Sequence, residues 1–336
     1  MTTDRLIAYK SATAAALGVF LAALLMCPPA ARGAGHPESD AAEQTDPVLD
    51  RVYELAGERS DEVQYYRMES KLMTHLADGT LQSTDVFRLG LEYMPAGLAG
   101  GEDPRITCLY FTVELADSPE VAIPDLKGWS YALDQSGMDE TGQVFGIDHS
   151  RFETVVDANG TSLPSHLTYH VYNAFVDFHS FCDVFAQPMS EGSGVQDLTR
   201  IGDIIVHEAA FSEPPVNLGS NVMEGSYFRN GRITLEFKGL SVVNGRQCAL
   251  LEYDSGRSSF KMKMQPMPDL EVETAGGSHY SGDIHKDLES NWIQKATLSE
   301  WVVSETTLPM PPGKLNSVNE RSILILNLGE EEVRRK

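Results

Sequence analysis

The chain is poor in the residues and motifs on which most catalytic assignments rest. It holds four cysteines in 336 residues, at positions 27, 108, 182 and 248, with no C-x-x-C spacing among them. That removes the usual zinc-ribbon and dithiol redox signatures. No G-x-S-x-G, G-x-x-x-x-G-K-[ST] or G-x-G-x-x-G occurs, and Gly100-Gly101 is followed by Glu102-Asp103, the wrong charge for cradling phosphate. Hydrolase elbows and nucleotide loops therefore have no support. Basic residues are also scarce, 26 Lys and Arg against 49 Asp and Glu, for a formal charge of −23. A surface of that sign repels phosphate backbones and anionic membranes, so no nucleic-acid partner is expected, whereas cations such as calcium suit it.

Long apolar runs are nearly absent as well. The longest covers residues 12–26, behind a short basic stretch with Arg5 and Lys10 and ahead of Pro28-Pro29 and the small residues of 30–35. It is short of the ~20 residues that a spanning helix needs and has the length of a secretory signal core. Residues 1–34 are therefore expected to be a signal peptide, and the protein to be exported, periplasmic or extracellular, without a transmembrane span after cleavage. An uncleaved N-terminal anchor is the alternative. A lipid anchor at Cys27 is a further one, disfavoured by the bulky Met26 before it. Outside the cytoplasm disulfides are permitted, yet the remaining Cys108, Cys182 and Cys248 are odd in number, which favours buried thiols with at most one pair.

What is present reads as strand. With 42% hydrophobic residues there is material for a sizeable core. Residues 35–60 read as a polar linker ending in a short helix at 47–58, where Val48, Val52 and Leu55 have helical spacing. From Glu62 the period changes to two, and Asp78-Gly79 marks a hairpin. Residues 105–115 form the clearest strand of this half. A helix is expected over 165–186, opened near Pro164 and ended by Pro188. Leu167, Val171, Phe175, Phe178 and Phe185 fall on one face, while His166, His170, Asn173 and Asp177 fall on the other. Residues 189–220 read as a connector. The rest is almost all strand signal, with a type I′ turn at Asn244-Gly245 and a central strand at 322–328.

The expected organisation is thus a linker (35–60), an N-terminal β-rich lobe with the helix (61–188), a connector (189–220), an antiparallel β lobe (221–329) and a charged tail (330–336). The fold class is α+β, mostly antiparallel β. One long amphipathic helix, 165–186, packs on a curved sheet with its apolar face inward. The arrangement resembles the half-barrels of bacterial envelope lipoprotein carriers, a likeness of architecture carried by no motif. It implies an acyl chain held between sheet and helix.

Two near-motifs fail. His207-Glu208-Ala209-Ala210-Phe211 has Phe where a zincin places its second histidine. Ser258–Lys261 fits S-x-x-K without its partner motifs, on a stretch that alternates like a strand. Two clusters remain. His279, Asp283, His285 and Asp287 alternate on one face of the strand expected at 278–288, ~6.5–7 Å apart, and imidazole with carboxylate is a ligand set for a divalent first-row ion. His166, His170 and Asp177 share the outer helix face, where His166 and His170 stand one turn apart. A solvent-facing strand or helix face has to be polar in any case, and that explanation outweighs a metal site in both places. No cofactor is required, and a divalent ion is the one candidate.

The functional expectation is an exported, non-catalytic binding protein. It holds an apolar or lipid-like small molecule between sheet and helix. The alternatives are an envelope scaffold that pairs with another envelope protein, and a metal-dependent hydrolase built on His279 and His285.

Overall fold

The computed structural model describes residues 48–335 apart from 102, 117, 135–142, 190–192, 210, 215–221, 268 and 312, and without the side chains of 165, 166 and 267. The expected signal peptide and lipid-anchor position lie outside the described residues.

The protein is built on one curved antiparallel sheet of 14 strands that does not close. Its main path runs β4-β3-β2-β1-β14-β13-β12-β10-β9-β6. The strands on that path are β1 (Gln64–His75), β2 (Leu81–Met94), β3 (Arg105–Glu114), β4 (Val121–Ala122), β6 (Ile204–His207), β9 (Ile233–Val243), β10 (Arg246–Asp254), β12 (Leu270–Asp287), β13 (Ile293–Thr307) and β14 (Lys314–Leu328). The strands β5 (Ser130–Ala132), β7 (Phe211–Ser212), β8 (Tyr227–Arg229) and β11 (Ser258–Met267) branch from it. Local chemistry explains the hairpins. Asp78-Gly79 joins β1 to β2, and Asn244-Gly245, at φ 51° and 78°, joins β9 to β10 as the type I′ turn requires. The pairing of β1 with β14 unites the two halves of the chain: Tyr65 faces Leu328 at one end of the ladder and His75 faces Val318 at the other.

The helix departs from expectation. The α-helix α1 spans Ser165–His179, shorter than 165–186, and continues as a π-helical turn over Ser180–Val184. It is not amphipathic towards solvent, because every residue from 167 to 182 is buried. A layer of loops that carries Trp129, Tyr131, Phe145 and Phe152 covers one side, with Phe152 against both Tyr172 and Phe175. On the other side Phe178 meets Tyr66 of β1, Phe181 and Phe185 meet Tyr253 of β10, and the polar stripe meets the sheet. Helical periodicity identified the stripe but not its direction. A counter-charge waiting on β14 turned it inward.

The short helix expected at 47–58 is absent. After a turn at 48–50, residues 51–60 run without helix, with Tyr53 and Leu55 buried and Val52 exposed. Docking overrides the helical spacing. The Tyr53 amide donates to the Thr199 carbonyl at 2.8 Å, the Ser60 amide to Ser290 O at 3.0 Å, and the Trp292 indole N–H to Ser60 O at 3.0 Å. Cys108, Cys182 and Cys248 are free and buried, and burial pushes the Cys108 thiol up to about 12.

Candidate functional site

The strand cluster divides rather than converges. His279, Asp283, His285 and Asp287 all lie on β12, but three of them are held by separate partners. His279 Nε2 sits 2.9 Å from Asp254 on the exposed face. His285 Nδ1 sits 2.8 Å from the Ser241 hydroxyl, and burial together with Lys295 lowers the pKa of this imidazole. Asp287 accepts from Arg246 Nη1 at 2.8 Å and from the Ser290 hydroxyl at 2.7 Å, and these bonds hold its carboxylate below the usual range despite burial. Asp287, the last residue of β12, is buried with these partners, unlike His279. Among the described residues no group of three or more His, Cys, Asp or Glu is placed to hold a metal ion.

The helix stripe faces the opposite way from the one expected, and its members meet different partners. The side chain of His166 lies outside the described residues. His170 packs at a tilt against Phe87 of β2 with ring centres 5.8 Å apart. Asp177, 1% exposed, accepts from Asn173 Nδ2 at 2.9 Å and from Arg321 Nη1 at 2.5 Å. The same guanidinium donates through Nε to Glu300 Oε2 at 2.8 Å. Two buried carboxylates thus share one arginine, with Ser278 beside Glu300. Burial dominates. It pushes Asp177 up to about 7 against the pull of Arg321, with Glu300 adding to the rise, and it raises Glu300 as well. Arg321 Nη2, Asn319 Oδ1 and the Tyr169 hydroxyl are buried here with no hydrogen-bond partner among the described residues. Packing around them is tight enough to leave almost no accessible area on any of these atoms.

A second buried cluster lies further along, where the helix ends in its π-helical turn. Asp183 accepts from Arg59 Nη1 at 2.7 Å and lies 2.7 Å from His179 Nδ1, while His179 Nε2 lies 2.6 Å from the Tyr131 hydroxyl. Arg59 also bonds the Cys182 carbonyl and stacks over Trp292 at 4.4 Å. Carboxylate, imidazole and hydroxyl follow one another as in a nucleophile relay. Here, however, the hydroxyl is a phenol whose proton burial holds well above its ordinary pKa. The carboxylate is bonded to Arg59 as well, which with His179 keeps it ionised against burial. Nearby, Lys286 is fully buried and donates to the Ala186 carbonyl at 2.6 Å, and burial next to Arg59 lowers its amine to about 7. Such groups act as locks: they fix the helix's C-terminal end to β12 and to the segment that precedes β1.

Sequence reasoning missed both Arg321 and Arg59. Arg321 sits in the inward-facing register of β14, just ahead of the strand expected at 322–328, because β14 begins eight residues earlier, at Lys314. Arg59 lies in a polar linker and carried none. His207 of the broken zincin motif ends β6 rather than lying on a helix, and Ser258 and Lys261 lie on β11, with Lys261 paired to Glu273 at 2.8 Å.

No family model matches this sequence, and no curated protein matches it. Among solved structures, a Vibrio cholerae outer membrane protein, OmpT in trimer form, is 9% identical over 80% of this chain and 99% of that one, with a TM-score of 0.17. A score of that size carries no argument about fold or function.

Proposed function

We propose that the protein is an exported, non-catalytic binding protein. The observation that carries this reading is the commitment of its buried titratable groups. Asp177, Glu300 and Arg321 are bound to one another, as are Arg59, Asp183, His179 and Tyr131, and Lys286 is bound to a helix carbonyl. Catalysis needs a titratable group that faces a space where substrate can sit, and these groups face protein. The lipid-carrier form of the proposal places an acyl chain between α1 and the sheet. Aromatic side chains fill that space at the described positions, with Phe111 on Phe175 at 5.8 Å and Tyr66 on Phe178 at 5.0 Å. An acyl chain there requires α1 to leave the sheet.

A second reading, an envelope scaffold, is favoured by exposed apolar side chains on β13. Trp301 is 47% exposed and Val303 60% exposed on β13, with Trp301 stacked on His75 at 5.8 Å. Native mass spectrometry of the protein isolated from its own envelope fraction tests both. A bound small molecule of definite mass supports the binding protein. Co-purification of a stoichiometric protein partner, lost in Trp301→Ser, supports the scaffold and overturns the first reading. A bare polypeptide mass in every preparation counts against the lipid-carrier form.

A further inference from the structure

At one end of the curved sheet, where β1 begins and β14 finishes beside the β9–β10 turn, a cleft of about 400 Å³ opens. That is within the range of small-molecule sites, ~300–1,000 Å³. Its floor is a row of amides made by neighbouring strands. Gln294 of β13 and Asn327 of β14 are 4% and 7% exposed. Asn327 Nδ2 donates to Gln64 Oε1 at 2.8 Å and to the Ile293 carbonyl at 3.2 Å. Asn244, in the left-handed conformation of its turn, donates to the Asn327 carbonyl at 3.0 Å. These bonds hold the row in place. Gln294 differs from its neighbours: although 96% buried, its amide has no hydrogen-bond partner among the described residues, and it lines the cleft. The amide opens onto the cleft, so an occupant can meet its hydrogen bonds in place of water.

Charge decides what that occupant is. Arg246 at the wall has its guanidinium bound to Asp287 at 2.8 Å, and Glu330 is paired with Arg334 at 2.8 Å. Glu62 and Glu332 also line the cleft, and neither has a basic partner within ion-pair distance among the described residues. Glu332 instead accepts from the Gly329 amide at 3.1 Å. The unbalanced charge of the lining is therefore negative. It repels carboxylates and phosphates, and the whole-chain charge of −23 draws cations towards it.

We propose that this cleft binds a small organic cation, an ammonium or guanidinium with several N–H donors. The carbonyl oxygen of Gln294 accepts from it inside the cleft, and Glu62 and Glu332 balance its charge at the rim. The inference rests on the binding-protein reading and gives it a location at the end of the sheet rather than beneath α1.

The test is titration of the purified protein with agmatine, which carries a guanidinium and an ammonium, followed by calorimetry or amide chemical shifts. One saturable site is expected, with a dissociation constant of about 1 mM or tighter. Gln294→Leu, which leaves the net charge unchanged, and Glu62→Gln with Glu332→Gln should each weaken it by about tenfold or more. The rim pair is exposed, so that double variant keeps the wild-type melting temperature and stays informative if Gln294→Leu does not. Three outcomes overturn the proposal: no saturation, binding untouched in both variants (agmatine then merely gathers on an acidic surface), or equal binding of a neutral polyol such as sorbitol. A failure here together with a bound mass in the native spectrum removes this site and leaves the binding-protein reading standing. A bare native mass with saturable agmatine binding does the reverse for the lipid form.

Discussion

Asp177 is the residue at which burial and charge oppose each other most openly. Its carboxyl is pushed up to about 7, first by burial, although Arg321 pulls the other way. Between roughly pH 4 and 7 the folded protein holds a proton that the unfolded chain has released. The contribution of this group to stability is therefore greatest below pH 4 and falls as the pH rises to about 7. Denaturant titrations of wild type and Asp177→Asn across that range should diverge, the variant gaining relative stability as the pH climbs, by up to a few kcal/mol on the order of the linkage relation. Parallel curves would show that Asp177 is ionised throughout. Arg321→Met should act in the opposite sense and cost about 3–5 kcal/mol near neutrality, since it leaves two buried carboxylates without their cation. Lys286 titrates with the other sign. Its amine is lowered to about 7, first by burial and then by Arg59, so its contribution rises as the pH goes from about 7 towards 10, and Lys286→Met should remove that rise in the same assay.

At the scale of elements, β12 shows how the sheet bends. It is the longest strand, Leu270–Asp287, and pairs with β11 along its first part and with β10 along its last. Two of its glycines sit where neighbouring chain passes too close for a side chain. A Cβ on Gly282 would lie 2.0 Å from the Thr297 carbonyl oxygen, and one on Gly276 would lie 2.4 Å from that of Val303. Glycine in a strand interior ordinarily weakens it, but here it permits the close approach that curvature brings. Gly282→Ala should destabilise the protein by about 1–3 kcal/mol through forced backbone displacement, read as a lower denaturation midpoint. An unchanged midpoint would mean that β12 relaxes freely and that Gly282 does not set the curvature. The helix α1 is likewise defined by its surroundings. Its C-terminal part is held by two different arginines, Arg321 of β14 at Asp177 and Arg59, ahead of β1, at Asp183.

For the whole molecule, the pairing of the first long strand with the last one matters most. β1 lies between β2 and β14, so the N-terminal strands have one sheet edge that only the C-terminal strands can fill. Arg59, ahead of β1, reaches Asp183 and stacks on Trp292, which couples three distant segments of the chain. Neither half is complete alone. Thermal unfolding followed by far-ultraviolet dichroism and by tryptophan fluorescence should give coincident single transitions. Two separated transitions would show that the halves fold as independent units despite the shared sheet.

Much of the strand layout was legible locally. Alternation, β-branched runs and the turns Asp78-Gly79 and Asn244-Gly245 placed hairpins where the structure has them, because strand period and positive-φ turns are properties of short segments. The helix was legible for the same reason, as were the polar stripe on it and the paucity of catalytic motifs. What alternation and periodicity cannot encode is which side of an element meets solvent. The stripe of His170, Asn173 and Asp177 turned inward because Arg321 lies opposite it on a strand some 144 residues later. His279, His285 and Asp287 found separate partners because their neighbours Asp254, Ser241 and Arg246 come from other strands. The amide cleft is assembled from β1, β13, β14 and a turn, and no segment of sequence contains more than a fragment of it. The sequence by itself determined the elements and their periods, through local backbone sterics and side-chain patterning. Only the tertiary structure decided the pairing of buried charges and the lining of the cleft, because both depend on distances between residues far apart along the chain.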